Sequence, residues 1–166
     1  MSSYALTEPS NLSYSAISAY AEKVGEHHGI YSRDGVADIH SLVAKLGGHV
    51  MASTSRESLH VREIGDFTIN VPATTSPRRD RFTIAHELGH YFLHYLLPKR
   101  EGEQGYGRGG RNRAETEANV FASSLLMPES KFREQCHRRE DAWRAALHFD
   151  VSPAAAEVRA QVLRIP

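Results

Sequence analysis

The chain has 166 residues, a length that suits one compact core and is short for two independent domains. Lysine plus arginine and aspartate plus glutamate number 20 each, so the net charge is +0 and nothing in the balance draws the chain to nucleic acid or a membrane surface. Cys136 is the single cysteine, which excludes an internal disulfide framework and argues against a cysteine-built zinc site.

Met1–Pro9 lacks the charged-then-apolar pattern of a signal peptide, and no apolar run reaches the roughly 20 residues that span a bilayer. The expectation is a soluble, cytoplasmic protein without a membrane partner. Leu12, Ala16, Ile17, Ala19, Tyr20 and Val24 recur at helical spacing and predict a first helix that stops at Gly25 or, at the latest, Gly29. A shorter helix follows from the N-cap Asp38 through Ile39, Leu42, Val43 and Leu46 to Gly47-Gly48. His49–Ala52, Ser58–Arg62 and Asp66–Val71 are short and rich in β-branched residues, and they predict a small antiparallel three-stranded sheet. The second and third strands suit a hairpin through Glu63-Ile64-Gly65.

Ser76 or Asp80 can cap the next helix, which is expected to run to about Tyr95 with Pro98 just beyond. Within it stands His86-Glu87-Leu88-Gly89-His90, an H-E-x-x-H motif. Four residues advance about 6 Å along a helix and only about 40° around it, so both imidazoles leave one face and can meet one metal ion. Glu87 points to a neighbouring angle, where it suits a general base for a water on that metal.

Pro98 to Asn112 is rich in glycine and charge and is expected to be a mobile connector, with a lid in which Tyr106 or Arg108 touches substrate as the functional alternative. Helical spacing resumes near Arg113 and carries Ala114, Ala118, Phe121, Ala122, Leu125 and Leu126 to Met127-Pro128. Three short helices are then expected: Glu129 to about His137, Asp141 to His148, and Pro153 to Leu163, with Asp150-Val151-Ser152 as the turn and cap before the last. The expected organisation is a core over residues 1–127 and a helical, helix-turn-helix-like extension over 128–166 packed upon it.

A catalytic zinc takes three protein ligands and leaves a fourth position for water, so His86 and His90 need one more. His94 continues their row, but eight residues from His86 rise about 12 Å, too far for one ion, so it is expected behind the ligands or on the substrate side. The helix from Arg113 offers Glu115, with Asn119 four residues on to accept the outer N–H of a ligating imidazole. Glu117 is the second choice as third ligand, placed toward solvent by its angle. Tyr106, His94, Tyr91 and Tyr95 are candidate oxyanion partners. An extended substrate is expected to add to an edge strand at Phe67–Val71 or Leu59–Arg62.

Arg79–His90, Glu115-Thr116-Glu117-Ala118-Asn119-Val120-Phe121-Ala122 and Leu125-Leu126-Met127-Pro128 together resemble the ImmA/IrrE family of metallopeptidases. Ala146–Ser152, Ala156 and Arg159 are similar to the family's C-terminal helical region, so the likeness covers roughly residues 36 to 163. The tail Arg159–Pro166 departs from the family's usual ending. The resemblance implies an α+β, minimal zincin-like fold with a gluzincin-like site, in which His86, His90 and Glu115 hold Zn2+ and Glu87 is the base. It also implies a helix-turn-helix repressor as substrate, cut in a mobile-element or stress-response switch. The competing reading is a regulatory module that binds a repressor or DNA, with a structural or vestigial zinc site. Arg138, Arg139, Arg144 and Arg159 would serve DNA there, diluted by Glu140, Asp141 and Glu157.

Overall fold

The computed structural model describes residues 7–166, so the first six residues of the polar lead Met1–Pro9 lie outside the described residues. Helix α1 (Tyr14–His27) starts where Ser13 accepts a hydrogen bond from the Ala16 amide, and buries Ile17, Ala21 and Val24 along one stripe. It runs past Gly25 and ends before Gly29, whose φ of 62° turns the chain. Helix α2 (Ile39–Lys45) is capped by Asp38, whose carboxylate accepts from the Ser41 amide.

The sheet contains β1 (Gly48–Ala52), β2 (Glu57–Glu63), β3 (Asp66–Val71) and β4 (Gln104–Gly107), in the order β1-β3-β2-β4. β2 and β3 form the expected antiparallel hairpin, with Leu59 opposite Ile69 and Val61 opposite Phe67. Two features correct the sequence expectation. β1 lies parallel to β3, Gly48 opposite Phe67, because the chain from Ser53 to Arg56 passes over the slot that β3 later fills. A fourth strand rises from the glycine-rich stretch, with Tyr106 opposite Leu59 and Gly105 opposite His60.

Helix α3 (Pro77–Tyr91) begins at Ser76, which accepts from the Arg79 amide, with Pro77 in the first turn. Phe67 of β3 stacks against Tyr91 at 4.2 Å, and the Tyr91 hydroxyl accepts from the Gly65 amide, so the hairpin is held against α3. The expected continuation to Tyr95 changes character: Phe92–Leu96 is a π-helical segment, with the Leu97 amide donating to the Phe92 carbonyl.

Helix α4 (Arg113–Leu126) is capped by Asn112, which accepts from the Glu115 amide, and packs between α1 and α3. Gly89 makes the α3–α4 approach close: a Cβ there would lie 3.0 Å from the Ala118 Cα and carbonyl oxygen. Residues 10–12 cross the far side of α4, where the Ser10 and Asn11 amides donate to Glu117 and Arg113 donates to the Leu12 carbonyl.

Helices α5 (Glu129–Gln135), α6 (Ala142–Phe149) and α7 (Pro153–Val162) follow, with a 3-10 turn at Arg139–Asp141. Asp150 adopts the left-handed conformation that ends α6, and Ser152 caps α7. Arg81 of α3 donates to the carbonyls of Ala37, Phe149 and Asp150, joining α3 to this region. Ile165 is buried and its carbonyl accepts from Arg139, so the divergent tail is packed. Arg159 is only 2% exposed and donates to the Met127 carbonyl, which removes it from the set of arginines expected to face DNA. Among the described residues, no helix is long and apolar enough to cross a membrane.

Candidate metal centre

His86 and His90 stand one helical turn apart on α3, their rings 4.8 Å apart and nearly perpendicular. The first turn of α4 brings Glu115 across from them: its Oε1 lies 3.7 Å from His86 Nε2, and its Oε2 faces His90 Nε2. One ligand atom from each of the three can be chosen so that all lie within 4.8 Å of one another. Burial works against a charged Glu115, but the hydrogen bonds from His86 and His90 outweigh it and pull the carboxyl down to about 2.

The outer nitrogens decide which lone pairs remain. His86 Nδ1 lies 2.7 Å from Asn119 Oδ1; an amide oxygen only accepts, so Nδ1 carries a proton and Nε2 is the nitrogen turned to Glu115. His90 Nδ1 lies 2.8 Å from His94 Nδ1, and His94 Nε2 lies 2.8 Å from Glu117 Oε1. Burial pushes His94 down to about 4, so its one proton sits on Nε2 and points at the carboxylate. His94 Nδ1 must then accept from His90 Nδ1, so on both His86 and His90 Nε2 is the nitrogen turned to Glu115, where an ion would replace the protons they donate to the carboxylate. Glu117 also accepts from the Ser10 and Asn11 amides and from Arg113.

Glu117 is therefore buried and not turned to solvent as its helical angle predicts, because residues 10–12 cover that face. Sequence reasoning missed its contact with His94; the only signal was a carboxylate at the third position of the same helical turn as Glu115. Tyr106, a candidate for the substrate side, lies buried behind the site. Its ring stacks at 5.5 Å on His90 and its hydroxyl donates to the His94 carbonyl. Tyr91 and Tyr95 are also committed elsewhere, to the Gly65 amide and the Gly102 carbonyl. None of the four expected oxyanion partners lines the pocket beside the ligands. That pocket, of about 240 Å3, is lined instead by Phe82, Thr83, Glu87, Asn119 and the run Gly107-Arg108-Gly109, along with His86 and Glu115. Arg108 is held there by donating to the Ser55 and Asn70 carbonyls.

Glu87 is buried, and burial pushes its carboxyl up to about 7 against the opposing charge of His86. Its Oε1 has no hydrogen-bond partner. A buried carboxylate oxygen without a donor is costly, and a water held beside the three ligand atoms would supply one. Two converging imidazole nitrogens, a carboxylate and this unpartnered oxygen fit a divalent ion of the zinc type with room for water.

The strands expected to receive an extended substrate are both interior: β3 lies between β1 and β2, and β2 between β3 and β4. The edge that reaches the pocket is β4, which pairs with β2 on one side only among the described residues and ends at Gly107.

Residues 48–161, more than half of the chain, match the family model described as the IrrE N-terminal-like domain, a peptidase family. No curated protein matches the chain.

Proposed function

Because the chain belongs to the IrrE N-terminal-like family of metallopeptidases, we propose that it is a zinc-dependent endopeptidase that cuts a helix-turn-helix repressor at a specific peptide bond in the cytoplasm. One observation carries the chemistry: Glu87, whose buried Oε1 has no partner, lines the same pocket as His86 and Glu115 of the converging ligand set. The repressor as substrate rests on the resemblance to the ImmA/IrrE family. Residues 1–127 are read as the catalytic core and 128–166 as a helical extension that shapes the cleft away from the ligands.

His86 Nε2, His90 Nε2 and a Glu115 carboxylate oxygen would hold the ion. When bound, zinc would supply a Lewis acid that acidifies water and polarises the scissile carbonyl. Glu87 takes a proton from the attacking water as the water oxygen bonds to the carbonyl carbon. The carbon–nitrogen bond then breaks and Glu87 returns the proton to the leaving nitrogen, so the elements of water end on the new carboxyl and amine. Arg108, which lines the same pocket, would meet negative charge developing on the carbonyl oxygen. Asn119 and His94 orient the imidazoles. An extended substrate would add along the free edge of β4 through main-chain hydrogen bonds.

The test is to incubate the zinc-loaded protein with small helix-turn-helix repressors, starting with any that is encoded beside its gene, and look for a discrete cut. Glu87→Gln should retain zinc and lose cleavage, and a chelator should abolish cleavage by the unaltered protein. A fully active Glu87→Gln variant would sink the mechanism. Zinc content after Glu115→Ala, compared with Glu117→Ala, checks the third ligand.

A further inference from the structure

A second groove, of about 690 Å3, opens beside the metal pocket and shares Phe82 and Thr83 with it as lining. Its remaining wall runs from Thr74 and Thr75 over Arg78 and Arg79 to Ser152 at the start of α7. Among the described residues no aspartate or glutamate lines it, while two arginines do. Arg78 Nε lies 3.5 Å from Asp150, which also faces Arg81, so part of its charge is already met. Arg79 is exposed and has no ion-pair partner among the described residues.

Two cations in the first turn of α3 are poorly placed for stability, since that end of a helix favours negative charge. Their presence is better accounted for by what enters the groove. Arg79 precedes His86 by seven residues on α3, which puts it about 10 Å along the axis and within about 20° of the same line. An extended peptide covers that distance in about three residues.

We propose that this groove is a specificity subsite that binds an aspartate or glutamate side chain of the protein substrate about three residues from the scissile bond. The inference rests on the peptidase reading above and adds to it the chemical class of sequence selected. The guanidinium of Arg79 takes the carboxylate, Arg78 and the hydroxyls of Thr75 and Ser152 border it, and Phe82 and Thr83 carry the peptide from groove to pocket.

The zinc-loaded protein is given a mixed peptide library, and the cut ends are read by mass spectrometry. Aspartate and glutamate should be enriched about three residues to one side of the cut, and the double variant Arg78→Glu/Arg79→Glu should turn that preference toward lysine and arginine. Glutamates suit the first turn of α3, and Asp150, which loses Arg78, keeps Arg81, so the variant is expected to fold. In parallel, fluorescein-labelled acidic and basic peptides are titrated onto Glu87→Gln protein by anisotropy. The acidic peptide should bind about tenfold tighter, with the order reversed when the charge reversal is added. Cleavage without this preference, or a preference that survives the charge reversal, overturns the subsite and leaves the peptidase reading standing. No cleavage of the library or of any helix-turn-helix repressor, together with charge-dependent peptide binding, overturns the peptidase reading and keeps the subsite. Duplex DNA that binds through Arg78 and Arg79 while the acidic peptide does not, or failure of both peptides to bind, overturns the subsite.

Discussion

His94 Nε2 stands 2.8 Å from Glu117 Oε1, and neither side chain has any exposure to solvent. Burial opposes charge on both, yet the donors around Glu117 outweigh it and hold its carboxyl below the ordinary value, so the pair is a neutral imidazole donating to a carboxylate. Replacing Glu117 with Gln puts an NH2 group among donors. Loss of about 1–3 kcal/mol in metal-free stability is expected by urea unfolding, with zinc binding weakened about 10- to 100-fold in a chelator competition. Unchanged zinc affinity would show that His94 does not set the orientation of His90.

Gly89→Ala should destabilise the protein even though alanine is the better helix former by about 1 kcal/mol. The added carbon would meet backbone of Ala118 at 3.0 Å and the Phe121 Cβ at 3.2 Å, and neither can swing aside. A net cost of about 1–3 kcal/mol is expected. Because α3 carries two of the proposed ligands and α4 the third, zinc affinity should fall together with the urea midpoint. A stabilised variant would mean that the two helices are free to separate.

Arg81→Ala removes three hydrogen bonds that join α3 to Ala37, Phe149 and Asp150. A loss of roughly 1–3 kcal/mol is expected from the carbonyls left without donors. Lysine should restore little, since one ammonium does not reproduce the planar fork. If residues 128–166 form one cooperative unit with the rest, circular dichroism and Trp143 fluorescence should report the same transition in the unaltered protein. Separate midpoints would show that the extension unfolds by itself.

Cys136 is 1% exposed, its thiol donates to the Arg138 carbonyl, and burial pushes its pKa up. The thiolate is the reactive form, so labelling by a disulfide reagent should be slow in the native protein and immediate in denaturant. Native labelling as fast as that of free cysteine would contradict this placement.

The helix starts were legible because their caps are local chemistry: Asp38, Ser76 and Ser152 each accept from an amide three residues on. Helical spacing put His86 and His90 on one face and a neighbouring helix offered Glu115, with Glu117 as the alternative; the structure brings His86, His90 and Glu115 within reach of one another. Strand β4 was not. Gln104-Gly105-Tyr106-Gly107 has little strand preference of its own, and its form comes from pairing with β2. The parallel seat of β1 was equally hidden, because alternation along a strand says which face is buried and not which neighbour it takes. Glu117 was misplaced for a similar reason: helical angle gives a direction, and what lies there was set by a polar segment more than a hundred residues away.

That segment bears on how the protein is handled. A version trimmed to begin at residue 12 would look intact by length and keep every expected ligand, yet the carboxylate behind His94 would have lost both amides that hold it. Shortening this segment therefore alters the candidate metal site itself, and an affinity tag that drags on Ser10 and Asn11 would do the same from outside.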